Sequence, residues 1–176
     1  MKSQILAANA RYSTRVAQLL DELKLLDDGL LNRKPADGGW SAIQTMHHLI
    51  LVEENSLAYI RKKLSFQPPL GKAGIGAWLR MRLLLLTLWS PVKFKAPKSA
   101  GSERIPDSDS FEATSARWNA IRAEWTTFFE EMPEALCDKA VYRHPRIGLI
   151  NWLQMNRFIA AHFARHRKQI KRAVDG

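Results

Sequence analysis

With 176 residues, 46% of them apolar, the chain is long enough to bury a real core and too hydrophobic to be a disordered tail. Its 27 basic residues against 17 acidic ones leave a formal charge of +10, and its single cysteine excludes an internal disulfide and Cys₄ or Cys₂His₂ zinc sites. Any metal must therefore be held by histidine and carboxylate. No uncharged stretch is long and apolar enough to span a bilayer, and the start Met1-Lys2-Ser3-Gln4 leads into an amphipathic pattern and not a signal core. This reads as a protein that is not exported, hence cytoplasmic.

The first predicted helix covers residues 4–31, where Ile5, Val16, Leu19, Leu20, Leu23 and Leu30 recur near the 3.6-residue period. Pro35 and the pair Gly38-Gly39 break it. A second helix opens at Ser41, whose hydroxyl and Gln44 form a capping-box pattern, and runs to about Leu64. Residues 65–76 hold Pro68-Pro69 and read as a loop. Residues 77–89 form a short apolar helix carrying Arg80 and Arg82, and residues 90–109, with Pro91, Pro97 and Pro106, the longest irregular connection.

A third long helix is predicted from Ser110 to Pro133, with Trp118, Ile121, Trp125 and Phe129 on its apolar side. Residues 134–148 read as a turn-rich link and residues 149–173 as the last helix. No strand alternation and no repeat is visible. The expected architecture is all-α: one domain over residues 1–176, a four-helix bundle with an extra short helix and a long loop between its second and third helices.

The positive charge is dispersed. Arg61-Lys62-Lys63 closes the second helix, Lys93, Lys95 and Lys98 sit in the long loop, and Arg165, Arg167, Lys168, Lys171 and Arg172 crowd the last helix. It reads as a solvated basic surface, because no helix-turn-helix, RNA-binding aromatic motif or zinc finger accompanies it; nucleic acid is not an expected partner. The apolar segment from Trp78 to Trp89 suits a membrane surface, but the Leu83-Leu84-Leu85-Leu86 block is better read as packed on the bundle or on a second copy.

The chemistry concentrates in histidines. His162 and His166 lie at i and i+4 on a helix, one turn apart on one face, where two imidazoles can share an ion. The second helix offers His47 and His48, about 100° apart. The stripe Ile43, Met46, Ile50, Leu57 and Leu64 lies closer to His47, so periodicity leans that way without choosing cleanly. Glu53 and Glu54 are candidate partners for a ligand histidine or bases, Gln169 a candidate hydrogen-bond partner of His166, and His144, before Pro145, a residue of the cavity mouth or of the turn. Trp40 reads as a core anchor. Cys137 has nothing nearby to activate it, and no catalytic residue is assigned.

The segment Trp40-Ser41-Ala42-Ile43-Gln44-Thr45-Met46-His47-His48-Leu49 resembles the start of the second helix in the DinB/YfiT-like superfamily of metalloenzymes. His144-Pro145-Arg146-Ile147-Gly148, followed by His162 to Ile170, resembles that family's His-Pro-x-x-Gly turn and closing His-x-x-x-His-x-x-Gln-Ile helix. The resemblance covers most of the chain and is weakest over residues 71–104. It implies a bundle of up-down-down-up connection, often a homodimer. It also implies that the first metal ligand is the histidine just before Leu49, so that His48, His162 and His166 bind a divalent ion such as nickel, zinc or iron. Family members act on small molecules, some with low-molecular-weight thiols, so the resemblance implies a metal-dependent transferase or hydrolase. The alternative is a non-catalytic bundle serving as a binding or stress-response module. Because binding needs neutral imidazoles, occupancy is expected to fall below about pH 6.5.

Overall fold

The computed structural model describes residues 1–89 and 102–176. The lysines at 93, 95 and 98, and Pro91 and Pro97, lie outside them. Among the described residues, six α-helices and one hairpin occur in the order α1 (Lys2–Leu23), α2 (Asp28–Asn32), α3 (Ala42–Ser65), α4 (Ile75–Trp89), α5 (Phe111–Glu131), β1 (Ala140–His144), β2 (Gly148–Asn151) and α6 (Trp152–Asp175). Two 3₁₀ turns, Ser102–Arg104 and Glu134–Leu136, complete the described elements.

The bundle consists of α1, α3, α5 and α6. Each of α1 and α3 packs against both α5 and α6, so α1 and α3 occupy opposite corners of an up-down-down-up arrangement. The centre is filled by fully buried Trp118, Trp152, Phe129 and Phe163 from α5 and α6, with Ile5, Leu19, Ile43 and Ile60 from the facing helices. The short α4 lies outside this set, against α6 and β2. No described helix is long and apolar enough to cross a membrane.

Capping chemistry sets the helix starts. Ser41 Oγ accepts the Gln44 N–H at 3.1 Å while Gln44 Oε1 accepts the Ser41 N–H at 3.3 Å, the reciprocal box expected from the sequence. Asn151 and Gln154 repeat the device at the head of α6, at 2.9 and 3.0 Å. Ser110 caps α5.

Three expectations need correction. The first helix does not run unbroken over residues 4–31: α1 stops at Leu23, and Asp27 caps the separate one-turn α2 through the Leu30 N–H at 2.9 Å. A local Asp cap competes with helix continuation, which the apolar period does not register. The turn-rich link is partly an antiparallel hairpin, pairing Tyr142 with Ile150 and His144 with Gly148, with a bulge between Ala140 and Tyr142. Its strands are too short and too buried to show alternation, and Gly148 at φ 72° supplies the left-handed turn residue. The hairpin consumes Leu149 and Ile150, so α6 begins at Trp152 and not at 149.

Candidate metal centre

Every residue from Ser41 to Leu51 is buried, so the first turns of α3 are enclosed on all sides. His47 and His48 therefore both point into protein, in different directions and with different results.

His48 faces α6. Its Nε2 lies 3.3 Å from Nε2 of His162, which lies 3.1 Å from Nε2 of His166. One ring nitrogen from each of the three lies within 4.8 Å of the others, and they form the one such group of three potential ligands among the described residues. Its walls are aromatic: Trp40 meets His48 with ring centroids 5.0 Å apart, and Phe158 stacks on His162 at 5.5 Å. Trp40 is thus part of the site as well as an anchor.

The protonation pattern is set by neighbours. Gln169 Oε1, an acceptor only, lies 2.9 Å from His166 Nδ1, which places the ring proton there and leaves the Nε2 lone pair facing the cluster. His162 Nε2 stands between two other Nε2 atoms, and a single N–H could serve one of them. Burial, then the rings of His166 and His48, holds His162 well below the usual imidazole range. Burial, followed by His48, lowers His166 to about 3. These rings remain neutral far below pH 6.5, so proton competition for an ion begins at lower pH than free imidazole suggests.

The spacing suits a cation. Two nitrogens each 2.0–2.1 Å from one ion stand about 3.0 Å apart at a right angle and about 3.4 Å apart at the tetrahedral angle. The observed 3.1 and 3.3 Å edges fall in that interval. Imidazole donors of this kind suit zinc, nickel and iron alike.

His47 faces α5. Its Nδ1 accepts from Arg117 Nη1 at 3.4 Å, so Nε2–H donates to Asp109 Oδ2 at 3.0 Å, with Thr114 Oγ1 at 3.3 Å. Asp109 in turn receives the Ser110 N–H, and its backbone exchanges two hydrogen bonds with Asn32. His47 is thus a tie between α3, α2 and the start of α5. The sequence offered no signal for Asp109 as its partner, since 62 residues separate them.

The carboxylates considered as bases lie elsewhere. Glu53 is buried: Oε1 accepts from the Tyr12 hydroxyl at 2.6 Å and Trp118 Nε1 at 2.9 Å, and Oε2 from Arg122 Nη1 at 2.7 Å. Arg122 also reaches Asn9 and Ser13 on α1. Glu54 pairs with Arg117 through two bonds, at 2.8 and 2.6 Å. Five and six residues along α3 from His48, they turn away from it to Tyr12 of α1 and to the α5 cations Arg122 and Arg117. Tyr12 and Arg122, which complete the Glu53 network, carried no sequence motif.

His144 stands one ring away from the cluster. Its edge meets Phe158 at 4.4 Å, and Phe158 in turn stacks on His162. Its Nδ1 accepts the Arg146 N–H at 3.2 Å, so the ring proton is on Nε2, and burial lowers its pKa to about 4. Cys137 is buried, and burial raises its thiol pKa, the opposite of an activated nucleophile.

A family model described as the DinB superfamily matches residues 11–170. Among solved structures the chain is similar to YfiT from Bacillus subtilis, described as a probable metal-dependent hydrolase with an unusual four-helix bundle topology. The TM-score is 0.59 at 15% identity, over 99% of this chain and 86% of that one. That likeness bears on the fold. No curated protein matches the chain.

Proposed function

This chain belongs to the DinB superfamily, and from that premise we propose that it is a divalent-metal-dependent enzyme acting on a small molecule, with His48, His162 and His166 as the ligands. The observation that carries the reading is the meeting of three Nε2 atoms at 3.1 and 3.3 Å with no carboxylate among them. A single N–H on His162 serves one of these two contacts and leaves the other unmatched unless a cation lies between the rings. When bound, a divalent ion supplies Lewis acidity and lowers the pKa of a water or thiol it takes up, which suits hydrolysis or thiol-dependent transfer.

The chain's own residues prepare that site. Gln169 fixes the His166 tautomer, Trp40 and Phe158 pack against the His48 and His162 rings, and His144 keeps a proton on Nε2 beside Phe158. Among the described residues no carboxylate belongs to the group, so the three ligand atoms are all neutral and do not offset the charge of an ion.

Elemental analysis of protein purified without a metal-affinity tag tests the reading. About one equivalent of a divalent metal is expected in the wild type, and none in His162→Ala or His166→Ala. Metal-loaded protein is then assayed with ester or amide substrates and with thiol-conjugation substrates. A metal-free wild type that also takes up no zinc, nickel or iron(II) in calorimetry would sink the assignment.

A further inference from the structure

The net charge of +10 conceals a strong segregation. Residues 55–102 and 139–174 contain 18 of the 27 basic residues and no Asp or Glu, while the rest of the chain carries 9 basic and all 17 acidic residues. The described parts of these two segments meet in space. α4 packs on α6 and β2, and Lys63 at the end of α3 donates to Val141 O of β1 at 2.9 Å. Arg61, Lys72, Lys139, Arg167 and Lys171 reach carboxylates outside the segments. Arg80, Arg82 and Arg157 make no ion pair among the described residues.

α4 lies within this cationic half and is apolar on both sides. Ala77, Met81 and Leu84 are buried against the bundle. The Leu83–Leu86 block expected to be packed is split: Leu84 is buried, whereas Leu83 and Leu86 are 56% and 69% exposed, with Leu79 at 55% and Ile75 at 87%. At 100° per residue the four outward aliphatic residues span an arc of about 80°. Arg82, its guanidinium 4.8 Å over the Trp78 ring, borders one side, and Arg80 borders the other. Beside it, a groove of about 340 Å³ between α4 and α6 is lined by Trp78, Met81, Leu85 and the guanidinium-bearing Arg82 and Arg157.

We propose that this face docks onto an anionic bilayer surface. α4 lies in the headgroup plane, its aliphatic ridge toward the acyl chains and its arginines at the phosphates, and the α4–α6 groove receives a lipid phosphate between two guanidiniums. The charge pattern favours lipid over a second copy. A two-fold contact through this ridge sets Arg82 near its own counterpart and brings no carboxylate from α4, β2 or the adjoining turns of α6. It favours lipid over nucleic acid because phosphate contacts use the cations and leave four large aliphatic side chains in water.

Flotation of the full chain with vesicles tests this, using phosphatidylcholine alone and phosphatidylcholine with one-third phosphatidylglycerol. Co-flotation with the anionic vesicles only is expected, with a blue shift of tryptophan emission. The double variant Leu79→Glu/Leu83→Glu changes two exposed side chains and should keep its helical spectrum and metal content. Its partition should fall at least about tenfold. Arg82→Glu should weaken binding as well. Wild type that stays with the aqueous phase overturns the proposal. So does a double variant that binds as well as wild type. A wild-type dimer that the double variant converts to monomer would assign the ridge to a second copy, and retention on duplex DNA without vesicle binding would assign the cations to nucleic acid. Metal content is read separately, so failure here leaves the metal centre untouched.

Discussion

Two polar clusters start five residues apart on α3, one around Glu53 that is buried throughout and one around His48 whose partners His162 and His166 are half-buried, and they match their polar groups differently. Around Glu53 every donor meets an acceptor. Tyr12 and Trp118 share one carboxylate oxygen, Arg122 takes the other, and the charges cancel within the chain. Around His48, three imidazole nitrogens converge with at most one N–H on His162 to share, the cation Arg165 disfavours protonation of His162 and His166, and no carboxylate belongs to the group among the described residues. A buried network that is complete holds a fold together; on the proposed reading, the histidine cluster is completed by a cation. Burial alone therefore does not mark a polar group as functional, and the proposed metal site rests on the mismatch among its nitrogens.

The contrast breaks most sharply at Glu53. Glu53→Ala leaves Arg122 charged and enclosed, and should cost about 3–5 kcal/mol in urea unfolding while the folded variant still binds metal. A loss below about 1 kcal/mol would remove the distinction between the clusters.

Acid probes the other cluster. In the unfolded chain these histidines titrate near 6.5, whereas in the folded metal-free protein His144 titrates near 4 and His166 near 3. Between those values the unfolded state binds more protons, so stability is full above pH 6.5 and falls as the pH drops. The slope approaches about 1.4 kcal/mol per pH unit for each such group. Urea midpoints of the metal-free protein at pH 7.5, 6 and 5 should fall steadily, and equal midpoints would show the rings are not held neutral.

Gln169→Ala sharpens the reading at a smaller scale. It frees the His166 tautomer without removing a ligand, and should weaken metal affinity about 10- to 100-fold by calorimetry. The smallest effect on the metal is expected from His47→Ala. It cuts the tie to Asp109 and Arg117 and should cost about 1–2 kcal/mol of stability, with affinity for the ion unchanged. Loss of metal in His47→Ala with retention in His48→Ala would reverse the roles given to the two neighbours.

The choice between His47 and His48 shows where reading the chain reaches its limit. Periodicity assigns a face by contrasting buried with exposed positions, and here residues 41–51 have no exposed face to set the phase. The lean toward His47 rested on a greasy stripe that continues around the helix. The family resemblance pointed to His48 instead, and the structure brings His48, not His47, to His162 and His166. Glu53 failed as a candidate base for a related reason: whether a carboxylate beside a histidine turns toward it depends on cations from α5, 69 residues away.

The sequence by itself determined what rests on short-range chemistry. That includes the caps at Ser41 and Ser110, the shared face of His162 and His166 and the reach of Gln169 to His166, all within four residues along the chain. The hairpin at Ala140–Asn151 and the exposed ridge of α4 were decided only by the tertiary structure. So were the tie of His47 to Asp109 and the meeting of His48 with α6, across 114 residues. Local hydrogen bonds and spacing are written in neighbouring residues, but the direction a buried side chain takes is set by the helix packed against it. In a bundle whose opposite corners are α1 and α3, the next bundle helix along the chain is a packing partner for α3 but not for α1.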